Sequence, residues 1–467
     1  MARSKHVEDI TPGARGLIRT FSGYGYNFGQ SVADLVDNSI DAGATCVEIE
    51  LEFEGKDSWL MLSDNGSGIS KSVLREALRP GAEREYRTDD KGKFGLGLKT
   101  ASLTHCTKLT VVSRVAPRRR RLDARTLDVE HLQETNRWEV LVVDPPDRAA
   151  EKLREHAGTV VIWERLETLL QYQIPWGKRA ENRFFELVEQ LEGHLSMVFH
   201  RFLAGEARRK EPLEIWINGR QIEPWDPFAR NEPQTQDLGE KQLEIHTAHG
   251  RGLVVYHPYI LPSQKQFSTP AAFKSLGRDR WNDLQGFYVY RSDRLIQAGG
   301  WSRMRARDEH TKYARASIEF MRDLDEAFNV GTSKTTVRLP EELRTELNEP
   351  VQQLIRAARI AYNGRRADGG RRRTARRGAQ ASQSGKISAT KRLGVDGNKS
   401  QNYAVDSENR GEVFGSDNEG GTNPAPVEFR KALETAAAAV GEANSLKKIA
   451  KELKKQFPEV AHELGWR

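Results

Sequence analysis

Two cysteines in 467 residues, Cys46 and Cys106, leave no material for a disulfide framework or a cysteine-based zinc site. Long apolar runs are also missing, since no stretch approaches the roughly 18 residues that suggest a membrane span. Residues 1–9 lack the apolar core of a signal peptide, so a cytoplasmic protein is expected. The 11 histidines are scattered without ligand spacing, and none is assigned to a metal. What remains is 30% charged and 37% hydrophobic residues, the balance of a globular protein with polar extensions. The length exceeds one ordinary core and implies two or three domains.

The net charge of +7 is unevenly spread. Arginines 118–121 form one run. Arg365, Arg366, Arg371, Arg372, Arg373, Arg376 and Arg377 form a second, with Asp368 the one acid among them. Such blocks are usually solvated tails and often contact polyanions.

Periodicity organises the rest. Residues 16–42 read as helix. Over 46–54, Val47, Ile49, Leu51 and Phe53 alternate with Glu48, Glu50, Glu52 and Glu54, the period of a strand. Strand-like runs follow at 59–63, 109–115, 138–143 and 159–163, close enough in sequence to pair antiparallel. The amphipathic stretch 184–203 closes a first domain. Residues 213–217 with the turn Asn218-Gly219 then open a second one with a hairpin. That domain is expected to end in a helix from about Pro340, with Leu343, Leu347, Val351, Leu354 and Ile355 on one face. From 364 to about 424 the chain is Arg-, Gly-, Ser- and Asn-rich and reads as a disordered linker. The last forty residues regain helical composition. The domains expected are therefore 1–205, 206–363, a basic linker 364–425 and a helical segment 426–467.

Three pieces carry chemistry. On a helical wheel of residues 31–42, Asp34, Asp37, Asn38 and Asp41 fall within roughly 100° of arc, opposite Val32, Leu35, Val36 and Ile40. A surface helix usually mixes cations into such a stripe. This one has none, which points to a cation or an activated water against it, or else to an acidic solvated face. The second piece, Asp64, Gly66 and Gly68, follows a strand directly. Its glycines let backbone approach a planar ligand, and Asp64 can accept a hydrogen bond from an amino group. The third is Gly92, Gly95 and Gly97 running into Leu98, Lys99 and Thr100. Glycines at a helix start expose free N–H groups suited to phosphate.

In this order and spacing the three pieces resemble the GHKL ATPases, the superfamily of gyrase B, MutL, histidine kinases and heat-shock-ninety chaperones. The resemblance implies a Bergerat α/β sandwich, then a transducer domain of the ribosomal-protein β-α-β type, over residues 10 to 360. It implies ATP and Mg2+ as cofactors, with Asp34 as general base and Asn38 holding magnesium. Asp64 would take the adenine amino group, with Asp41, Gly66 and Gly68 beside the nucleotide. Gly95, Leu96, Gly97, Leu98, Lys99 and Thr100 would cradle phosphate, residues 80 to 94 would form a lid, and Thr159 would reach the adenine through water. Lys334, in the loop before the Pro340 helix, would touch the γ-phosphate. The stretch 97–102, Gly-Leu-Lys-Thr-Ala-Ser, looks like its MORC counterpart more than that of MutL. The usual base is Glu, and position 34 holds an Asp one methylene shorter, which leaves slow hydrolysis open.

By kinship the chain would be an ATP-driven homodimeric clamp acting on DNA, with a partner nuclease in restriction or antiphage defence. A chaperone-like remodelling ATPase and an ATP-binding clamp with little hydrolysis are the alternatives. A histidine kinase would need a phosphoacceptor helix upstream, and none is expected in the few residues before the fold.

Overall fold

The structure, a computed structural model, describes residues 13–23, 27–80, 97–116, 121–166, 174–247, 250–277, 280–331, 337–381 and 443–456, with residues 169 and 435. The first layer begins with helices α1 (Ala14–Ser22) and α2 (Phe28–Asp41). The break between them divides the single helix expected over 16–42, and Asn27 starts α2. The Asn27 side chain accepts from Gly29 N at 2.9 Å while its own N–H reaches Gln30 Oε1, a capping box.

Strands β1 (Cys46–Glu52) and β2 (Trp59–Asp64) form an antiparallel pair in the register Val47↔Asp64. They are followed by α3 (Lys71–Ala77), α4 (Gly97–Leu103), β3 (Lys108–Arg114), β4 (Asp123–Asp128) and α5 (Val129–Thr135). Then come β5 (Leu141–Val142), α6 (Asp147–Lys152) and β6 (Gly158–Glu164). Helices α7 (Lys178–Val198) and α8 (His200–Leu203) lead to β7 (Glu214–Ile217) and β8 (Arg220–Gln221). The eight strands make one sheet in the order β5-β4-β3-β6-β2-β1-β7-β8.

The alternation along β1 is realised in space. Val47, Ile49 and Leu51 are buried with Val32, Leu35 and Val36 of α2, while Glu48 and Glu50 pair with Lys152 of α6 on the other face. One face of the sheet therefore carries the α1, α2, α4 and α7 helices. The other is a smaller apolar patch of Met61, Val112, Val160 and Ile162 under Ala149 and Leu153. One strand goes unread in the sequence and one expectation changes here. Strand β4 had no alternating apolar pattern to announce it, because five of its six residues are buried irrespective of polarity. The hairpin at 213–221 does form, but β7 pairs parallel with β1 and extends the first sheet rather than opening a second domain. Its apolar Ile215 and Ile217 fit the core already built by β1.

The second sheet contains β9 (Gln236–Asp237), β10 (Lys241–Thr247), β11 (Gly250–Ile260), β12 (Gly286–Arg291), β13 (Arg294–Ala298) and β14 (Ala314–Phe320). Helix α9 (Pro270–Gly277) lies between β11 and β12 in sequence. The order is β10-β11-β14-β12-β13, with β9 on β11 and with β12 and β14 parallel. Helix α10 (Glu341–Ala381) buries Leu343, Leu347, Val351, Leu354 and Ile355 against Val289, Ile318 and Phe320, the face read from its periodicity. Its backbone stays helical to Ala381, so residues 364–381 are not the linker expected. Alanine and arginine are strong helix formers and outweigh the interspersed glycines. Apart from this unit, a helix α11 (Ala443–Gln456) lies in the C-terminal segment.

Candidate functional site

Asp64 ends β2 and is buried. Its Oδ1 accepts from Gly66 N at 2.9 Å and from Thr159 N at 3.3 Å, and its Oδ2 accepts from Ser39 Oγ at 3.1 Å. Thr159 stands opposite Asp64 in the β2–β6 ladder, which explains how residues 95 apart meet. Burial pushes the Asp64 carboxyl above the usual range, and these donors pull the other way. Close approach dictates the neighbouring glycines. A Cβ on Gly158 would lie 2.0 Å from Asp64 O, and one on Gly68 (φ +70°) would lie 2.1 Å from Arg114 O. A Cβ on Gly66 would press on Ala42 Cβ at 2.9 Å and on Asp64 Oδ1 at 3.0 Å. Asn65 fixes the turn by accepting from Thr45 N and Cys46 N at 2.9 and 3.0 Å.

Ser39 ties this carboxylate to α2, which carries the acidic stripe. Along that helix Asn38 is the one exposed residue, and Asp41 is half-buried. Asp34 and Asp37 are buried, and so is the arginine they meet, Arg294 at the start of β13. Its Nε lies 2.8 Å from Asp37 Oδ2 and 3.0 Å from Oδ1, and its Nη2 lies 3.7 Å from Asp34 Oδ1. The stripe is therefore no solvated face. Its upper part is closed by a guanidinium from the second sheet. Among the described residues no group of three or more His, Cys, Asp or Glu is placed to hold a metal.

Helix α4 starts at Gly97. Leu98 packs half-buried on the core, and the Thr100 hydroxyl turns back toward Gly97 O at 3.5 Å. Lys99 is fully buried and donates to Ala77 O at 2.7 Å, so it satisfies the C-terminal end of α3. Burial lowers its amine to about 8. Gly95, Leu96, lid residues 81–94 and Lys334 lie outside the described residues. Behind the helices, His105 meets Ser31 Oγ at 2.9 Å and stacks on Trp163, and burial lowers its imidazole to about 4.

The structure joins two of the sequence-read residues directly, Asp64 and Thr159, at the ends of β2 and β6, and ties them through Ser39 to the helix that carries Asp34, Asn38 and Asp41. Sequence reasoning missed Ser39 and Arg294. Ser39 sits inside the motif without a marked pattern, and Arg294 is 257 residues from Asp37. The one signal in the sequence was the unbalanced charge of α2 itself. A separate cavity of about 330 Å³ is lined by His200, Arg201, Arg230, Tyr259, Asp293 and Glu319. Its charges pair internally, Arg201 with Glu319 at 2.7 Å and Arg230 with Glu206 at 2.7 Å, and none of the motif residues lines it.

A mixed sheet with its larger helical layer on one face, a buried aspartate beside two glycines and an Asp-x-x-x-Asn helix make up an α/β sandwich. Residues 26–159 match the family described as histidine kinase-, DNA gyrase B-, and HSP90-like ATPase. Curated relatives include DNA mismatch repair protein MutL of Shewanella woodyi, 42% identical over 90 residues, 18% of this chain and 14% of the relative. MutL of Klebsiella pneumoniae is 28% identical over 234 residues, 47% of this chain and 33% of the relative. MutL of Salmonella arizonae is 27% identical over 234 residues, with the same coverage. The chain spans at most a third of the length of these relatives. Over residues 26–159 the chain therefore matches the GHKL ATPase superfamily, and it is similar to MutL. No helix among the described residues is long and apolar enough to cross a membrane.

Proposed function

We propose that the chain is a magnesium-dependent ATP hydrolase of the GHKL type, a homodimeric clamp that ATP closes around DNA. The observation that carries this reading is Asp64. Its Oδ1 is held by two backbone N–H groups, and its Oδ2 keeps a lone pair beyond the Ser39 bond, so it presents an acceptor to an adenine amino group. The residues present fit the nucleotide. Asn38, exposed on α2, would hold Mg2+ against the phosphates, with Asp41 and the glycines of residues 95–97 beside it. Asp34 would accept a proton from the attacking water, and Lys334 would steady the γ-phosphate. Bound magnesium would supply charge neutralisation for the phosphoryl oxygens.

The second sheet and α10 would serve as the transducer over residues 206–363, with β7 and β8 lent to the first sheet. The arginines of 365–377 would hold duplex phosphate. Kinship with MutL supports DNA as the partner. A partner nuclease and a place in antiphage defence extend the same kinship, and cytoplasmic location accords with both. One observation favours a slower variant of this reading: Asp34 is short and buried, so its approach to a water depends on closure of the site.

ATP turnover with and without duplex DNA tests the proposal, with Asp34→Asn as the control. That variant should bind ATP normally and lose turnover by at least about a hundredfold, the scale of general-base catalysis. Turnover surviving in Asp34→Asn would remove Asp34 as the base.

A further inference from the structure

Arg294 is placed with unusual care for a residue at a hairpin turn. Ser292 and Asp293, between β12 and β13, both take positive φ, 47° and 69°, the geometry of a tight two-residue turn. Three anchors fix that turn. Arg291 forms a buried bidentate pair with Asp325 at 2.6 and 2.7 Å, Ser292 N donates to Phe320 O at 3.1 Å, and Asp293 accepts from Arg208 N at 3.0 Å. The next residue carries its guanidinium past the Phe199 ring, 5.8 Å away, onto α2. There it binds Asp37 through Nε and stands 3.7 Å from Asp34.

A general base must be held in one orientation, within hydrogen-bond reach of the water it activates. We propose that Arg294 is a positioning residue for Asp34: its guanidinium spans Asp37 and Asp34 and helps to aim the base carboxylate while the second sheet is docked. This rests on the reading of Asp34 as the general base. Arg294 acts through the two aspartates, and because it belongs to β13, it makes readiness of the base depend on the seating of a different sheet. Asp37 is then the anchor and Asp34 the working group, in keeping with the close contact to the first and the longer one to the second.

Removing Arg294 alone takes a buried cation away from two buried carboxylates and risks unfolding. The test therefore uses Arg294→Lys and the double variant Asp37→Asn with Arg294→Gln, which deletes both charges of the anchoring pair and keeps hydrogen-bonding groups. ATP affinity and single-turnover hydrolysis are measured on the full chain. In the double variant, kcat should fall at least about tenfold while the Kd for ATP stays within about threefold of wild type. Arg294→Lys, which keeps the charge, should recover most of the lost rate. A double variant with kcat within about threefold of wild type would overturn the proposal, leaving Arg294 as ballast for Asp37. Loss of ATP binding would overturn it as well, since the pair would then hold the nucleotide or the fold. Asp34→Asn run in parallel separates the two ideas. If it is inactive while the double variant is active, the base reading stands and only the role of Arg294 fails. If Asp34→Asn turns over, the base reading itself fails.

Discussion

Asp64→Asn separates holding the site together from holding the ligand. The two oxygens of Asp64 have different duties. Oδ1 takes the backbone donors of Gly66 and Thr159, and Oδ2 takes Ser39 and faces the site. An asparagine can keep its oxygen on the backbone donors and place its NH2 where Oδ2 was. Ser39 Oγ, which also lies 3.3 Å from Leu35 O, can donate there and accept from the new amide. The unliganded protein should therefore lose under about 1 kcal/mol, one ordinary hydrogen bond. The ligand side is different, because an N–H donor would now face the donor amino group of adenine. An unmatched buried polar pair costs about 1–3 kcal/mol, so the Kd for ATP should rise about 5- to 150-fold. Calorimetric titration with ATP and thermal melting without nucleotide give the two numbers. Wild-type affinity in Asp64→Asn would refute the role in adenine recognition. A large fall in melting temperature would show instead that the carboxylate charge is part of the fold.

The remaining predictions concern pH and the basic helix. Burial lowers His105 from 6.5 to about 4, so the unfolded chain binds the extra proton between those values. Its contribution is present above pH 6.5 and is lost as pH falls toward 4, by about 3 kcal/mol at most. Urea titrations of wild type and His105→Gln should diverge in slope across that window, and parallel curves would show that His105 does not set it. Truncation after residue 363 should leave basal ATP turnover intact while weakening binding to duplex DNA. It should also flatten the slope of log affinity against log salt by about 0.9 for each phosphate no longer neutralised. Equal slopes in the full and shortened chains would make the arginine-rich stretch a spacer only.

Much of the first layer could be read from the chain because its elements are local and repetitive. The Val47-to-Phe53 alternation fixed a strand, and the α2 wheel fixed which face is apolar; both faces stand as read. The same method failed where tertiary context decided. Strand β4 buries Asp123, Arg125 and Thr126, polar residues that no period-two pattern would enter. Strand β7 had a good hairpin signature but no local sign of which sheet it joins, and only the parallel partner β1 settles that. Helix α10 ran past Gly364 because composition marked a linker while helix propensity of alanine and arginine prevailed.

The acidic stripe shows most directly what a sequence withholds. Asp34, Asp37 and Asp41 sit on one helix with no lysine or arginine beside them, and an isolated surface helix would be destabilised by each like-charge pair at that spacing. Such a pattern says that compensation comes from elsewhere without saying from where. Here part of it comes from Arg294, fixed by a turn in a different sheet. The division of labour follows from reach. A cation on α2 itself would balance charge in every state of the protein, whereas one delivered by β13 balances it only when β12–β13 is seated against α2. If Asp34 is the base, its positioning is then partly coupled to domain arrangement, and a chain that binds ATP with the second sheet displaced would hold its nucleotide beside a carboxylate less well placed to act. Full-length protein in which Asp293→Ala frees the hairpin from Arg208 should accordingly keep ATP affinity and lose rate, in the same direction as the double variant and by a smaller factor. An unchanged rate in Asp293→Ala would mean that Arg294 keeps its place without the turn.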